Sequence, residues 1–179
     1  MADQPFLTDI KTLRERARKH IEKGAITEGY KADLPTVIKL LNEALATEIV
    51  CVLRYRRHHF TASGIHAESV AAEFLQHANE EQGHGDLIAQ RIVQLGGEPD
   101  FNPEGLLTRS HAEYDDSEKL TDMIREDLVA ERIAIDSYRE MINYVGTDDS
   151  TTRRMLEGIL AMEEEHAEDL VSLLAGLDS

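Results

Sequence analysis

Two short stretches, ANEEQGHGDL at 78–87 and AMEEEHAED at 161–169, each set a glutamate three residues before a histidine: Glu81 with His84, and Glu163 with His166. Residues three apart share one face of a helix. Each pair can therefore offer a carboxylate oxygen and an imidazole nitrogen to one point, a donor mixture suited to first-row divalent metal ions. The spacing alone is weak evidence, because about one such pair is expected by chance in a glutamate-rich chain with eight histidines. The wider pattern is more specific. Glu48 lies 33 residues before Glu81, and Glu131 lies 32 before Glu163. Tyr55 follows Glu48 by seven residues, and Tyr138 follows Glu131 by seven. The chain carries two copies of one unit: Glu and Tyr on a first segment, Glu-x-x-His on a second.

Four long helices are expected to position these residues. The first spans about 34–62, started by Asp33 with Pro35 in the first turn, where backbone donors are free anyway, and stopped by Ser63 and Gly64. The second spans about 67–96 and ends at Gly96 and Gly97. The third spans 117–145, with Ser117 as its cap and Gly146 as its stop, and the fourth runs from Asp148 or Asp149 to about 175. Residues 97–116, with Pro99 and Pro103 among them, break the periodicity. They are long enough to return the chain along a whole helix. The fold class is therefore all-α, a four-helix bundle with a long crossover between its second and third helices. Thr8 or Asp9 starts a shorter helix reaching Lys23, so 1–33 reads as an N-terminal helical extension and linker, and 34–179 as the bundle.

Steps of three and four along each helix define its inward face. The first gives Val37, Leu41, Ala44, Glu48, Val52 and Tyr55, the second Val70, Phe74, His77, Glu81, His84, Ile88, Ile92 and Leu95. The third gives Ile124, Asp127, Glu131, Ala134, Tyr138 and Ile142, the fourth Leu156, Ile159, Glu163, His166, Leu170 and Leu173. Every seam is apolar except near its middle, where each carries a glutamate. Buried carboxylates without partners cost several kcal/mol each and repel one another, and no Lys or Arg occupies these seams. Two divalent cations would balance four carboxylates, with neutral imidazoles completing the set. Oxygen and nitrogen donors without thiolate favour iron, with manganese as the alternative.

The rest of the composition narrows the field. A net charge of −16 repels nucleic acid and concentrates cations, although residues 1–23 are net +2. No apolar run approaches a membrane span, and the N-terminus lacks the pattern of a secretory signal, so a cytoplasmic protein is expected. The single cysteine, Cys51, cannot form an internal disulfide and reads as a small core residue. His58 and His59 follow two arginines and read as surface residues.

Over about 34–175, and most closely in LNEALATEIVCVLRY, EEQGHGDL and ILAMEEEHAEDL, the chain resembles the ferritin-like superfamily, in particular bacterioferritins and Dps-like mini-ferritins. The general form of such a site, two glutamates plus two Glu-x-x-His motifs from four helices, is a recognised one. The resemblance implies that Glu81 and Glu163 bridge two irons, with Glu48 and His84 completing one ion and Glu131 and His166 the other. It also implies that Asp127 orients a ligating histidine. Tyr55 and Tyr138 either donate to the ligating carboxylates or fill the core. His77 reads as a core histidine, with an additional iron or entry ligand as the alternative. Bacterioferritins ligate haem through a Met inside the first Glu-x-x-His; Gln82 stands there here, so no Met-ligated haem is expected. Only 13 residues follow His166, which favours a dodecameric homo-oligomer over the twenty-four-subunit cage.

The activity this resemblance implies is ferroxidase: Fe(II) oxidised by O2 or H2O2, for iron storage and detoxification. Two alternatives accompany it. One is a dinuclear iron or manganese enzyme that turns over peroxide without storing iron. The other is a Dps-like shell that protects DNA, against which the small positive charge of the N-terminal arm counts.

Overall fold

The computed structural model describes residues 8–177; residues 1–7 of the N-terminal extension and 178–179 at the end of the tail lie outside the described residues. The order is α1 (Ile10–Ala17), a 3-10 turn (Ile21–Lys23), α2 (Leu34–Thr61), α3 (Ala67–Gln94), α4 (Leu106–Arg109), α5 (Leu120–Val145) and α6 (Ser150–Leu177). The four long elements form the expected bundle, and no strand occurs among the described residues. Short connections make α2/α3 and α5/α6 the two most extensive pairs, because a loop of a few residues returns a helix antiparallel to its neighbour.

Local chemistry sets the ends. Asp9 caps α1, its carboxylate accepting the Thr12 amide at 3.1 Å. Pro35 occupies the first turn of α2 behind Asp33. Asp149 caps α6, accepting the Thr152 amide at 2.9 Å, as an N-cap carboxylate should. Gly146 ends α5 with φ of 54°, a left-handed conformation that glycine adopts without a Cβ clash. The expected cap of α5 differs. Ser117 is not its N-cap: the helix begins three residues later, behind Lys119. Ser117 instead turns back on Asp115, donating its amide at 2.9 Å and its hydroxyl at 3.1 Å, so the local turn outcompetes the helix start.

The apolar seams fill two clusters on either side of the mid-bundle glutamates. One gathers Leu41, Leu45, Ile88, Ile92, Leu156 and Ile159, the other Phe74, Val70, Met123, Ile124 and Leu170. The crossover between α3 and α5 is held along α2 by polar side chains of that helix. Asn42 accepts the Asp100 amide at 2.7 Å, and Thr47 accepts the His111 amide at 2.9 Å. Arg54 donates to the Glu113 carbonyl at 2.6 Å, and Arg57 to that of Ser117 at 2.9 Å. The chain returns over the length of α2, so that α5 packs beside it. Residues Ile26, Tyr30 and Ala32 already lie on the core, whereas α1 buries no residue.

Asp149 does more than cap α6. It receives Arg91 at 2.8 and 3.0 Å, Thr152 Oγ1, and the Tyr30 hydroxyl at 3.0 Å. Arg91 and Asp149 are both buried. Removing the carboxylate strands a buried guanidinium, so Asp149→Ala is expected to cost about 3–5 kcal/mol. Urea unfolding measures it, and a loss below 1 kcal/mol would show that water replaces the aspartate.

Candidate metal centre

All six residues of the predicted cluster are buried, and the four helices bring them to one place. Glu48 comes from α2, Glu81 and His84 from α3, Glu131 from α5, and Glu163 and His166 from α6. Their donor atoms fall into two overlapping groups. Glu48, Glu81, His84 and Glu163 form one; Glu81, Glu131, Glu163 and His166 form the other; atoms within each lie inside 4.8 Å of one another. Glu81 and Glu163 belong to both.

The histidines face inward through Nδ1. His84 Nδ1 lies 3.0 Å from Glu163, 3.2 Å from Glu81 and 3.5 Å from Glu48. His166 Nδ1 lies 3.3 Å from Glu81, 3.7 Å from Glu163 and 3.9 Å from Glu131. Among the described residues these two imidazoles are the only ion-pair partners of the four carboxylates. Five buried donor atoms of the cluster lack a hydrogen-bond partner: Glu48 Oε2, Glu81 Oε1, both oxygens of Glu163, and His166 Nδ1. Such atoms are costly unless something polar meets them. Cations placed among them would satisfy all five, so the donor set fits two divalent ions.

Both tyrosines reach across the bundle. The Tyr55 hydroxyl, on α2, donates to Glu131 Oε1 of α5, and the Tyr138 hydroxyl, on α5, donates to Glu48 Oε1 of α2. Each leaves the other oxygen of its glutamate free to ligate. The acid that orients His166 is Glu80, 2.8 Å from Nε2, a residue outside the set that the seam positions pick out. Asp127, expected in such a role, serves a different group. It accepts from Arg54 Nη2 at 3.0 Å and lies 2.8 Å from His58 Nδ1. His58 is accordingly fully buried rather than on the surface. Glu80 lies one residue off the α3 seam, and only its adjacency to Glu81 could have flagged it. His77 is buried, stacks on His166 with centroids 4.1 Å apart, and lies 3.3 Å from the Tyr55 hydroxyl. Cys51 is buried with Ala112 and Ala130. Gln82 is exposed on α3, donating to Asp86 at 3.2 Å.

Without metal, protons do the balancing. Burial, and then the neighbouring carboxylates, push Glu81 and Glu131 well above the usual glutamate range. Burial also disfavours the anion of Glu163, but the His166 and His84 imidazoles beside it outweigh that and hold the group low. His84 and His166 are opposed by burial but raised by the carboxylates, to about 12 and about 9. The metal-free site is thus protonated imidazoles around an ionised Glu163, with Glu81 and Glu131 retaining protons.

Two cavities touch the cluster. One of about 860 Å³ reaches it at His84, between Leu87 of α3 and Arg154, Met155 and Met162 of α6. A smaller one of about 140 Å³ reaches Glu48 and Glu81 beside Phe101.

This protonation pattern has a measurable consequence. An unfolded glutamate titrates near 4.5, below the folded values of Glu81 and Glu131. Above that pH the folded state binds more protons than the unfolded one, so metal-free stability falls as pH rises, by up to about 1.4 kcal/mol per pH unit for each group. His84 and His166 add the same sign above the ordinary histidine value of 6.5, whereas His77, which burial lowers to about 3, opposes it below 6.5. Metal entry displaces these protons. Unfolding temperatures from pH 5 to 8 should therefore fall for the metal-free protein and flatten with Zn(II), with proton release on titration. A metal-free profile without slope would contradict the assignment.

Known proteins resemble this chain in sequence and in shape. The family described as Ferritin-like domain matches residues 38–179. A nutrient stress-induced DNA-binding protein of Synechococcus sp. is 34% identical over 138 residues, covering 75% of this chain and 78% of that one. A bacterioferritin of Desulfovibrio desulfuricans is 28% identical over 131 residues, covering 73% and 69%. Among solved structures, the dodecameric thioferritin of Bacteroides fragilis, a bacterioferritin-related protein, superposes with a TM-score of 0.80 at 33% identity, covering 83% of this chain and 89% of that one.

Proposed function

The chain belongs to the ferritin-like domain family, whose relatives here include bacterioferritin, and on that premise we propose that it is a ferroxidase. Two Fe(II) ions enter the bundle as substrate and leave as Fe(III), for storage and for removal of oxidants. The observation that carries this reading is the pair of overlapping donor groups sharing Glu81 and Glu163. Two sets of four donors with two members in common hold two ions side by side, at the roughly 3.5–4 Å spacing of dinuclear sites.

Each residue has a role. Glu81 and Glu163 bridge, while Glu48 with His84 and Glu131 with His166 complete the two ion sites. Four carboxylates neutralise two Fe(II). Tyr138 and Tyr55 fix Glu48 and Glu131 by their hydroxyls, and Glu80 holds the His166 ring so that Nδ1 faces the iron. The cavity at His84 admits the oxidant. Each Fe(II) gives up one electron; two electrons and two protons take O2 to H2O2, or H2O2 to two waters. Iron is the metal that this reading selects, with manganese as the alternative that would turn the same site to peroxide turnover without storage.

The dodecameric assembly of the Bacteroides fragilis relative supports a shell of twelve chains here. Stepwise Fe(II) addition in air should retain tens of irons per chain in a particle of twelve-chain mass. Glu163→Gln, which removes a shared bridge, should slow oxidation by at least about 100-fold. Uptake that stops at two irons per chain would sink the storage reading, and an unimpaired Glu163→Gln would sink the site.

The Synechococcus relative is named as DNA-binding, and α1 exposes Lys11, Arg14 and Arg16. Residues 1–23 are nevertheless only net +2 on a chain of −16, too little to neutralise a row of phosphates. We expect no DNA retardation in a gel at 150 mM salt, and a shift there that disappears on removing residues 1–23 would restore the DNA-protecting reading.

A further inference from the structure

A second group of donors lies outside the six-residue cluster. Glu73 and His77 stand one turn apart on α3, and Asp169 stands three residues beyond His166 on α6. One donor atom from each falls within 4.8 Å of the others. His77 is fully buried, yet its Nε2 has no hydrogen-bond partner. That nitrogen points between two carboxylates, 3.5 Å from Glu73 Oε1 and 3.6 Å from Asp169 Oδ2. Both distances exceed those of a hydrogen bond to nitrogen. They are close to the roughly 3.4 Å that separates donors bonded at 2.0–2.2 Å to one tetrahedral ion. The ring cannot simply turn away, because Nδ1 lies against the Tyr55 hydroxyl and its face is stacked on His166.

We propose that Glu73, His77 and Asp169 form a third divalent-cation site, which holds Fe(II) before it reaches the buried pair. Two carboxylates and a neutral imidazole balance one dication in charge. The carboxylates are partly exposed, with 30% of the Glu73 side chain and 43% of that of Asp169 open to solvent, so a cation reaches them directly. Glu80 links this site to the inner one. Its carboxylate lies within 4.8 Å of both His77 and His166 donor atoms and bonds His166 at 2.8 Å. An ion leaving His77 therefore meets another carboxylate before the bundle centre. That Fe(II) is the cargo rests on the ferroxidase reading; that a dication binds does not.

The test is an anaerobic Co(II) titration of the metal-free full-length protein, followed by visible absorption. The wild type should take up three tight equivalents per chain. Glu73→Gln and Asp169→Asn should each lose one equivalent, or weaken it by more than about tenfold, and keep two. Both side chains are partly exposed, and unchanged unfolding temperatures of the metal-free variants verify that they fold. Two equivalents in the wild type, or three undiminished in both variants, would overturn the site. A third equivalent lost in the variants, together with no oxidation of Fe(II) in air by the wild type, would uphold the site and reject the ferroxidase reading alone. Two equivalents with rapid oxidation would do the reverse.

Discussion

Four carboxylates in the middle of a hydrophobic bundle, without a lysine or arginine to meet them, are the constraint around which this molecule is organised. Bringing even one ionised carboxylate out of water is unfavourable unless it is paired. The surrounding structure answers with groups that direct and partly neutralise them: two imidazoles facing inward, two phenols donating from across the bundle, and an uneven distribution of protons. None of these replaces a cation, as the partnerless oxygens of Glu163 show. The apolar clusters above and below hold the helices close enough that the carboxylates cannot spread apart. Packing holds the charges together, and a bound cation would relieve the resulting strain.

The repetition in the chain becomes a crossed arrangement in space. Tyr55 belongs with Glu48 in sequence but bonds Glu131, while Tyr138 belongs with Glu131 but bonds Glu48. Each half of the chain therefore supports the glutamate of the other half, and α2 is tied to α5 at two buried points. The crossover makes this exchange feasible. Asn42, Thr47, Arg54 and Arg57 anchor it at successive positions on α2, so the second helix pair is delivered alongside the first.

Much of this architecture is legible in periodicity. The seam positions are buried, with only Ile142 and Leu173 reaching intermediate exposure, and the meeting of six side chains follows once four such seams face one axis. What periodicity lacks is lateral reach. Glu80 stands beside the seam, and its bond to His166 exists only because α3 and α6 pack at a particular distance. Likewise, the appearance of His58 as a surface residue came from its charged neighbours. Arg54 in fact turns inward, and Asp127 collects both it and His58 into a buried network. Ser117 had the right side chain for a cap, but Asp115 two residues earlier offered its amide a closer partner.

Both donor groups include Glu163, and neither is confined to one helix pair. The α2/α3 pair, which can form by local contacts, holds three of the six residues and completes neither group. During synthesis from the N-terminus, neither donor group is therefore complete until α6 has emerged from the ribosome and docked. On the ferroxidase reading, iron chemistry would be withheld from a polypeptide that has not yet made that helix.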